Sequence, residues 1–194
     1  MERGAPIFHE VSPMTDLTLM ELLNSRGYKP VEVTSVMFRE LEIGVPDSVE
    51  RKSALGLKTR IIGEDEAELW AATSAAGWAT EMEGLADFML GFGRISARCQ
   101  GAHPFLAELD GQAVSTGMLF IYDDVCMLAG ASTTPEGRNK GAQNALLAAR
   151  LAFAAERGCS FAIMGAAPGS QSQKNAQKNG FGIAYTRTKW HMTA

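Results

Sequence analysis

The sequence predicts an α/β (α+β) fold in which a mixed, mostly antiparallel sheet is flanked by helices. Three observations support this prediction. The chain opens with a strand, a helix and a second strand over residues 7–41. Three predicted strands follow one another over residues 105–134, joined by short turns, as in an antiparallel meander. An Ala- and Leu-rich helix then leads into a strand, a helix and a closing strand.

In the first half of the chain, the residues that begin and end helices and the spacing of apolar residues predict the elements. Asp16 is an N-cap for the first helix and Gly27 ends it, because glycine adopts the left-handed backbone of a helix C-terminus without strain. In a later helix one face is approximated by four residues, Ala67, Leu69, Trp70 and Thr73. The predicted strands are 7–11, 28–41 and 58–62, and the predicted helices are 17–25, 64–76 and 82–97.

The second half follows the meander with alternating helices and strands. Asp110-Gly111 and Asp123-Asp124 read as the tight turns of the meander, and Gly158 and Gly180 end the two helices. The predicted strands are 105–109, 113–122, 125–134, 160–164 and 183–192. The predicted helices are 144–157 and a segment that serines and glutamines open after Gly169 and that runs to Asn179.

The chain divides into three predicted parts. Residues 1–43 form a β-α-β fragment, residues 44–57 a charged linker that contains Pro46, and residues 58–194 one larger domain. A fragment of that size cannot bury its own faces, so we expect it to cover the larger domain or a partner chain. A helix, glycine, aromatic residue and strand recur near Gly180. Both a true duplication and a chance likeness of helix–strand joints remain open.

Composition excludes several classes of protein. With 46% apolar and 21% charged residues, the chain has the composition of a globular protein. A net charge of -4 argues against binding a nucleic-acid backbone. No apolar run approaches the roughly 18 residues of a membrane span, so we expect a cytoplasmic protein. The three cysteines and three histidines lack the spacing of a disulfide framework or a metal site.

The most informative segment covers residues 131–147, where a strand ends, a polar loop follows and a helix begins. Backbone N–H groups point outward at a helix N-terminus and the helix dipole favours negative charge there, so the segment suits a phosphate. Gly141 lets the backbone approach closely, and Arg138 and Lys140 add positive charge. The loop matches neither G-x-x-x-x-G-K-[ST] nor G-x-G-x-x-G. An exposed helix start with incidental basic residues is the alternative.

This segment resembles the acyl-CoA pyrophosphate loop of the GNAT acetyltransferases, usually written Q/R-x-x-G-x-G/A. Here the loop reads Arg138-Asn139-Lys140-Gly141-Ala142-Gln143, with glutamine in the last position. The order of elements over residues 58–193 is also similar to the plan of that family. The opening segment 6–41 resembles the end of another such domain, as in tandem GNAT proteins with a truncated first half.

The resemblance implies the GNAT acyl-CoA N-acyltransferase fold and an acetyl-CoA-dependent transfer of an acyl group to a primary amine of a small molecule or protein, by direct attack and without a metal. It implies that the strand end offers backbone groups to the pantetheine arm and thioester, and that a later helix lies across the CoA arm. The implied cofactor-binding residues are Ala131, Ser132, Thr133, Arg138, Asn139, Lys140, Gly141, Ala142, Gln143, Asn144 and Asn175.

Catalytic and acceptor residues are less well marked. Ala176 occupies the position where many GNAT proteins have a tyrosine that protonates the thiolate, so Ser172, one turn away, is the candidate acid. Glu81 is the candidate base. Trp78, Glu83 and Tyr185 are candidates for the acceptor pocket. Each has a plainer interpretation, as a polar face residue, a solvated acid or a packing aromatic.

Three functions therefore compete. The first is an N-acetyltransferase that uses acetyl-CoA and an amine, without nucleic acid or membrane as partner, and with a homodimer left open. The second is a non-catalytic acyl-CoA-binding sensor or scaffold module, which Ala176 would permit. The third is an unrelated α/β interaction domain without affinity for CoA.

Overall fold

The computed structural model describes residues 6–42, 56–79 and 84–192, and within them it confirms the mixed α/β fold. The strands are β1 (Phe8–Val11), β2 (Tyr28–Glu40), β3 (Leu57–Ile61), β4 (Ala102–Leu109), β5 (Gln112–Tyr122), β6 (Val125–Thr133), β7 (Phe161–Ala166) and β8 (Gly182–Met192). The helices are α1 (Leu17–Ser25), α2 (Ala67–Trp78), α3 (Leu85–Ser96), α4 (Ala142–Glu156) and α5 (Gln171–Lys178). Short 3-10 turns lie at Glu64–Glu66 and Pro135–Gly137.

The chain forms two compact units. One combines Met1–Arg39 with Met164–Ala194, and the other comprises Glu40–Ile163. Strand β7 contributes residues to both. Across the described ranges, no helix is long and apolar enough to cross a membrane.

The smaller unit is built on a three-stranded antiparallel sheet in the order β1-β8-β2. Helix α1 begins at Asp16, whose carboxylate accepts a hydrogen bond from the Thr18 N–H at 2.8 Å. The unit's core contains Val11, Leu23 and Tyr28. Helix α5 also belongs to this unit and begins at Ser170, whose hydroxyl accepts from the Gln173 N–H.

The larger unit is built on the antiparallel sheet β6-β5-β4-β3. Trp70 of α2 packs against Met118 of β5, and its indole N–H donates to the Phe105 carbonyl at 2.9 Å. A Cβ added to the preceding residue, Gly117, would instead meet Arg150 of α4. Since successive strand residues point to opposite faces, α2 and α4 cover opposite faces of this sheet.

A bulge interrupts the pairing of β5 with β6. Thr116 pairs with Ser132 and Met118 with Ala129, so Gly117 alone faces the two residues Gly130 and Ala131. Gly130 has a φ of 58°, in the left-handed region that glycine tolerates best. A bulge of this kind leaves the extra residue outside the ladder and re-aims the strand, which places Gly130 and Ala131 in an exposed, irregular segment of β6.

Most predicted elements agree with the structure to within a few residues, and α1 agrees at both ends. Two details of the first half differ. The predicted helix 64–76 is a 3-10 turn followed by α2, which continues to Trp78. The placement of Leu69 on the buried face was wrong: it is 43% exposed, since a rotation of about 100° per residue turns it away from Trp70. The predicted helix start at 82 and most of the predicted linker lie outside the described residues.

The close approach of α2 to β6 yields a first prediction. A Cβ at Gly77 would lie 2.7 Å from Ser132 Cβ and 2.8 Å from the Thr133 backbone nitrogen. We expect Gly77→Ala to destabilise the protein by about 1–3 kcal/mol, because α2 would have to move off the strand. Urea denaturation measures this change.

The matched control is Gly91→Ala in α3, where an added Cβ would meet nothing within 4 Å. This variant should gain about 0.5–1 kcal/mol from the higher helix propensity of alanine. Equal effects at the two positions would contradict the packing described for Gly77.

Candidate functional site

The loop between β6 and α4 is folded tightly by its own backbone. Thr134 N–H bonds to the Val114 carbonyl at 2.9 Å, and the 3-10 turn Pro135–Gly137 follows. A Cβ at Gly137 would lie 2.7 Å from Val114 Cβ, so only glycine fits there. Asn139 and Gly141 then adopt φ angles of 60° and 83°, which turn the chain into α4. The loop is thereby fixed against Val114, near the start of β5.

The N-terminus of α4 is suited to an anion. Gly141 is the N-cap and provides no side chain to cap the helix, and the first turn contains no acidic residue. The N–H groups of the first turn have no partner within a helix and carry the positive end of the dipole. Phosphate oxygens are the acceptors that such a helix start binds in proteins.

Two basic side chains border this helix start. Arg138 and Lys140 are both exposed. The Arg138 guanidinium donates to the Gly77 carbonyl at 3.4 Å, in the last turn of α2, where the helix dipole attracts a cation. Positive charge and uncapped N–H groups thus lie together, and this donor set fits a pyrophosphate.

Gln143, which departs from the family's loop pattern, is turned toward the sheet. Its Nε2 donates to the Ser132 carbonyl at 2.7 Å, to Ser115 Oγ at 2.8 Å and to Thr133 Oγ1 at 3.0 Å. The side chain therefore ties the first turn of α4 to β5 and β6. Its backbone N–H stays at the helix start with that of Ala142.

The three predicted residues of β6 differ in their surroundings. Ala131 is exposed within the bulge. Ser132 is buried, and its hydroxyl bonds to the Ser74 carbonyl of α2 at 3.1 Å and to Thr116 Oγ1 at 3.0 Å. Thr133 Oγ1 bonds to Ser115 Oγ at 2.8 Å. A network of hydroxyls thus fixes the strand just after the bulge.

The predicted residues of the later helix and strand belong to the smaller unit. On α5, Ser172 is exposed, and Asn175 Oδ1 accepts from Gln171 Nε2 at 2.8 Å. Ala176, at the usual tyrosine position, is 2% exposed. Tyr185 is half-buried on β8, where it pairs with Val36 of β2.

The acceptor-side candidates are only partly described. Glu81 and Glu83 lie outside the described residues. Trp78 ends α2 beside Gly77 and is half-buried, and its Nε1 is buried without a hydrogen-bond partner among the described residues. In the ranges 6–42, 56–79 and 84–192, no cluster of three or more His, Cys, Asp or Glu side chains could hold a metal ion.

Two features of this region, Arg150 and the bulge, were not among the residues predicted from the sequence. Arg150 lies on the buried face of α4, between Leu146 and Ala154, each one turn away. A charged residue at a position where the helical spacing calls for an apolar one could have been recognised in the sequence as a candidate buried charge. The bulge was not readable, because it depends on how two strands pair rather than on either strand alone.

Comparisons with known proteins agree with this geometry. The family model described as "Acetyltransferase (GNAT) family" matches residues 66–181, more than half of the chain. No curated protein matches the sequence.

Three solved structures resemble the chain in fold. The GCN5-related N-acetyltransferase from Kribbella flavida has a TM-score of 0.70 at 17% identity, over 97% of this chain and 69% of that one. The GCN5-related N-acetyltransferase from Sphaerobacter thermophilus has a TM-score of 0.70 at 14% identity, over 98% and 61%. A tandem GNAT protein from the clavulanic acid biosynthesis pathway has a TM-score of 0.63 at 14% identity, over 98% and 64%. The chain thus spans about two thirds of their lengths, and likenesses at such low identity show the fold.

The contacts of Gln143 yield a second prediction. Gln143→Ala removes the amide donor that Ser115, Ser132 and Thr133 share, while the Ser115 hydroxyl keeps its own bonds to the Ser132 carbonyl and to Thr133 Oγ1. We expect a loss of about 1–3 kcal/mol in the free energy of unfolding, because the two amide hydrogens give up bonds that each contribute about 0.5–1.5 kcal/mol. Chemical denaturation monitored by circular dichroism measures it.

Gln171→Ala is the matched control, since Gln171 also lies in the first turn of a helix but bonds to Asn175 at the surface. Its cost should stay below about 0.5 kcal/mol. A Gln143 variant as stable as the Gln171 variant would show that the buried network does not depend on this amide.

Proposed function

The chain belongs to the GNAT acetyltransferase family, and from that membership we propose that it is an N-acetyltransferase that moves the acyl group of acetyl-CoA to a primary amine. The acceptor amine belongs to a small molecule or a protein. The observation that supports this proposal best is the start of α4, where a helix with neither a side-chain cap nor an acidic residue in its first turn follows a basic loop. This loop lies within the region that the family model matches.

In the proposed complex the loop binds the pyrophosphate of the acyl donor. The residues involved are Arg138, Asn139, Lys140, Gly141, Ala142, Gln143 and Asn144, with Gln143 contributing its backbone N–H while its amide stays bonded to β5 and β6. Ala131, Ser132 and Thr133 offer backbone groups to the pantetheine arm and thioester, and the exposed bulge at Ala131 supports that assignment. Asn175 contacts the donor from α5.

The donor supplies an activated acyl group, so the protein needs to orient the amine and to manage one proton. We assign removal of the amine proton to Glu81 and protonation of the leaving thiolate to Ser172, whose exposed hydroxyl supports that role. We assign recognition of the acceptor to Trp78, Glu83 and Tyr185. The indole N–H of Trp78 is buried without a hydrogen-bond partner among the described residues, which supports its use as a donor to a ligand.

The proposal also includes the domain organisation, the cellular location and the partners of the protein. Residues 1–43 are a structural fragment, residues 58–194 are the acetyltransferase domain and the protein acts in the cytoplasm, with no metal. Its partners are acetyl-CoA and the acceptor amine, without nucleic acid or membrane.

One observation favours a second candidate, an acyl-CoA-binding sensor or scaffold without catalysis. In GNAT proteins with a tyrosine at the position of Ala176, that side chain donates the proton to the leaving thiolate. Alanine cannot donate a proton, and here its position is buried. A module of this kind keeps the donor site and lacks turnover, so turnover distinguishes the two candidates.

Binding of acetyl-CoA yields a third prediction. At 100 times its dissociation constant, the ligand should stabilise the protein by about 2.7 kcal/mol and raise the midpoint of thermal unfolding. Gly141→Glu should abolish this rise, since a carboxylate at the N-cap occupies the anion site and repels the pyrophosphate. Differential scanning fluorimetry measures the unfolding midpoint of the unmodified protein and of Gly141→Glu, with and without acetyl-CoA.

Gly158→Glu is the matched control. Gly158 and Gly141 have φ angles of 85° and 83°, an added Cβ meets nothing within 4 Å at either, and they flank the two ends of α4. The control carries the same backbone strain and the same charge, and it should keep the ligand-induced rise. No rise in the unmodified protein at millimolar acetyl-CoA would overturn both candidate functions.

Turnover is measured as release of the CoA thiol in the presence of a panel of primary amines. The N-acetyltransferase predicts amine-dependent thiol release that Gly141→Glu lowers by at least about 100-fold, because the donor is no longer held. Saturable binding without thiol release from any amine would favour the sensor.

A further inference from the structure

Arg150 is a buried cation that no carboxylate of the described residues neutralises. It is 3% exposed on α4, and within residues 6–42, 56–79 and 84–192 its hydrogen bonds go to backbone carbonyls. Nε donates to the Leu146 carbonyl at 3.2 Å, and NH1 donates to Met118 at 3.2 Å and to Ala129 at 3.5 Å. Among the described residues, no carboxylate forms a salt bridge with it.

The net stability of the fold is a weak reason to keep a charge at this position. An unpaired ion in the protein interior carries a large desolvation penalty, and an apolar side chain of similar volume is often the more stable choice. Burial lowers the pKa of Arg150 to about 10, since desolvation disfavours the charged form, so the guanidinium remains charged at neutral pH. The chain therefore keeps a positive charge at a position where an apolar side chain would carry no desolvation penalty for a charge.

The charge lies directly behind the bulge of β6. Met118 and Ala129 are paired residues, and they are the last pair before the bulge. A Cβ on Gly117, which faces Gly130 and Ala131, would lie 2.7 Å from the Arg150 Cζ, so the guanidinium occupies the space that this glycine leaves. By donating to the Ala129 carbonyl, Arg150 polarises the peptide that ends in the Gly130 N–H.

We propose that Arg150 is a positioning residue for acyl transfer, holding the β6 bulge in shape and supplying positive potential behind the backbone groups that face the thioester. This inference rests on the proposed function. In the transfer, the amine nitrogen forms a bond to the acyl carbon and the carbon–sulfur bond breaks. The electron pair leaves with sulfur, and the amine proton passes to a base or water.

Negative charge develops first on the acyl oxygen and then on sulfur during this step. A cation fixed in a dry environment before the reaction stabilises both charges without reorganisation. The same potential favours departure of the thiolate, which compensates in part for alanine at position 176. Arg150 thus assists the reaction through the peptide backbone of β6 rather than by touching the substrate.

Arg150→Met and Arg150→Lys test the proposal, with Arg157→Met as control. Arg157 follows the last residue of the same helix and lies over the Phe153 ring, so its variant removes one charge from α4 away from the bulge. The first readout is kcat for thiol release beside the dissociation constant of acetyl-CoA. We expect Arg150→Met to lower kcat by about 100-fold, within the range measured for loss of one electrostatic donor.

In the same variant the dissociation constant should change less than about threefold, because the pyrophosphate loop is untouched. Arg150→Lys retains a charge and should recover at least about tenfold in kcat over Arg150→Met, whereas the control should match the unmodified protein. If Arg150 had only a structural role, its loss would lower the unfolding midpoint and would change kcat and the dissociation constant together. Loss of kcat in both variants in proportion to lost stability, or no loss in either, would overturn the proposal.

The second readout does not require turnover. The infrared carbonyl band of acetyl-CoA labelled with carbon-13 at the thioester should move to lower frequency on binding, because positive potential polarises the carbonyl. This shift should shrink in Arg150→Met and persist in Arg150→Lys. If the shift appears without thiol release, the N-acetyltransferase function fails while the role of Arg150 in polarisation stands. If binding occurs and the shift is equal in all variants, the role of Arg150 fails.

Discussion

Gln143 and Arg150 lie about two turns apart on α4, and they donate to backbone carbonyls on the two sides of the β6 bulge. The glutamine holds Ser132 after the bulge, and the arginine holds Ala129 before it. Because Gly117 has no side chain, the Arg150 guanidinium can lie this close to the strands. One helix thus fixes the irregular strand segment and also presents its own N-terminus beside the strand end.

The other contacts around the proposed acyl-CoA site depend on this constraint. Gly77 lets α2 approach Ser132 from the other face of the sheet, and the Ser132 hydroxyl bonds to the Ser74 carbonyl there. Arg138 then lies near the last turn of α2, where its charge is favourable. The loop, the bulge and the helix start are therefore held by contacts from both faces, and a ligand there meets a prepared set of donors.

Most helices and strands, and the loop before α4, could be predicted from the local sequence. Helix-ending glycines, runs of β-branched residues and helix starts each depend on neighbouring residues alone. The anion-binding helix start at Gly141, with the basic residues beside it, could be predicted in this way. The direction of the Gln143 side chain could not, since its partners Ser115 and Ser132 lie on strands whose register depends on distant pairing. The burial of Arg150 was signalled by its spacing from Leu146, but its carbonyl partners depend on the bulge.

Backbone-amide NMR during titration with acetyl-CoA tests most directly whether this region holds an acyl donor. We predict saturable shifts that are largest for the N–H groups of residues 138–143 and for Gly130 and Ala131, since we propose that these donors bind the pyrophosphate and the thioester. Shifts that do not saturate, or that are largest at positions remote from the loop such as α3, would contradict it.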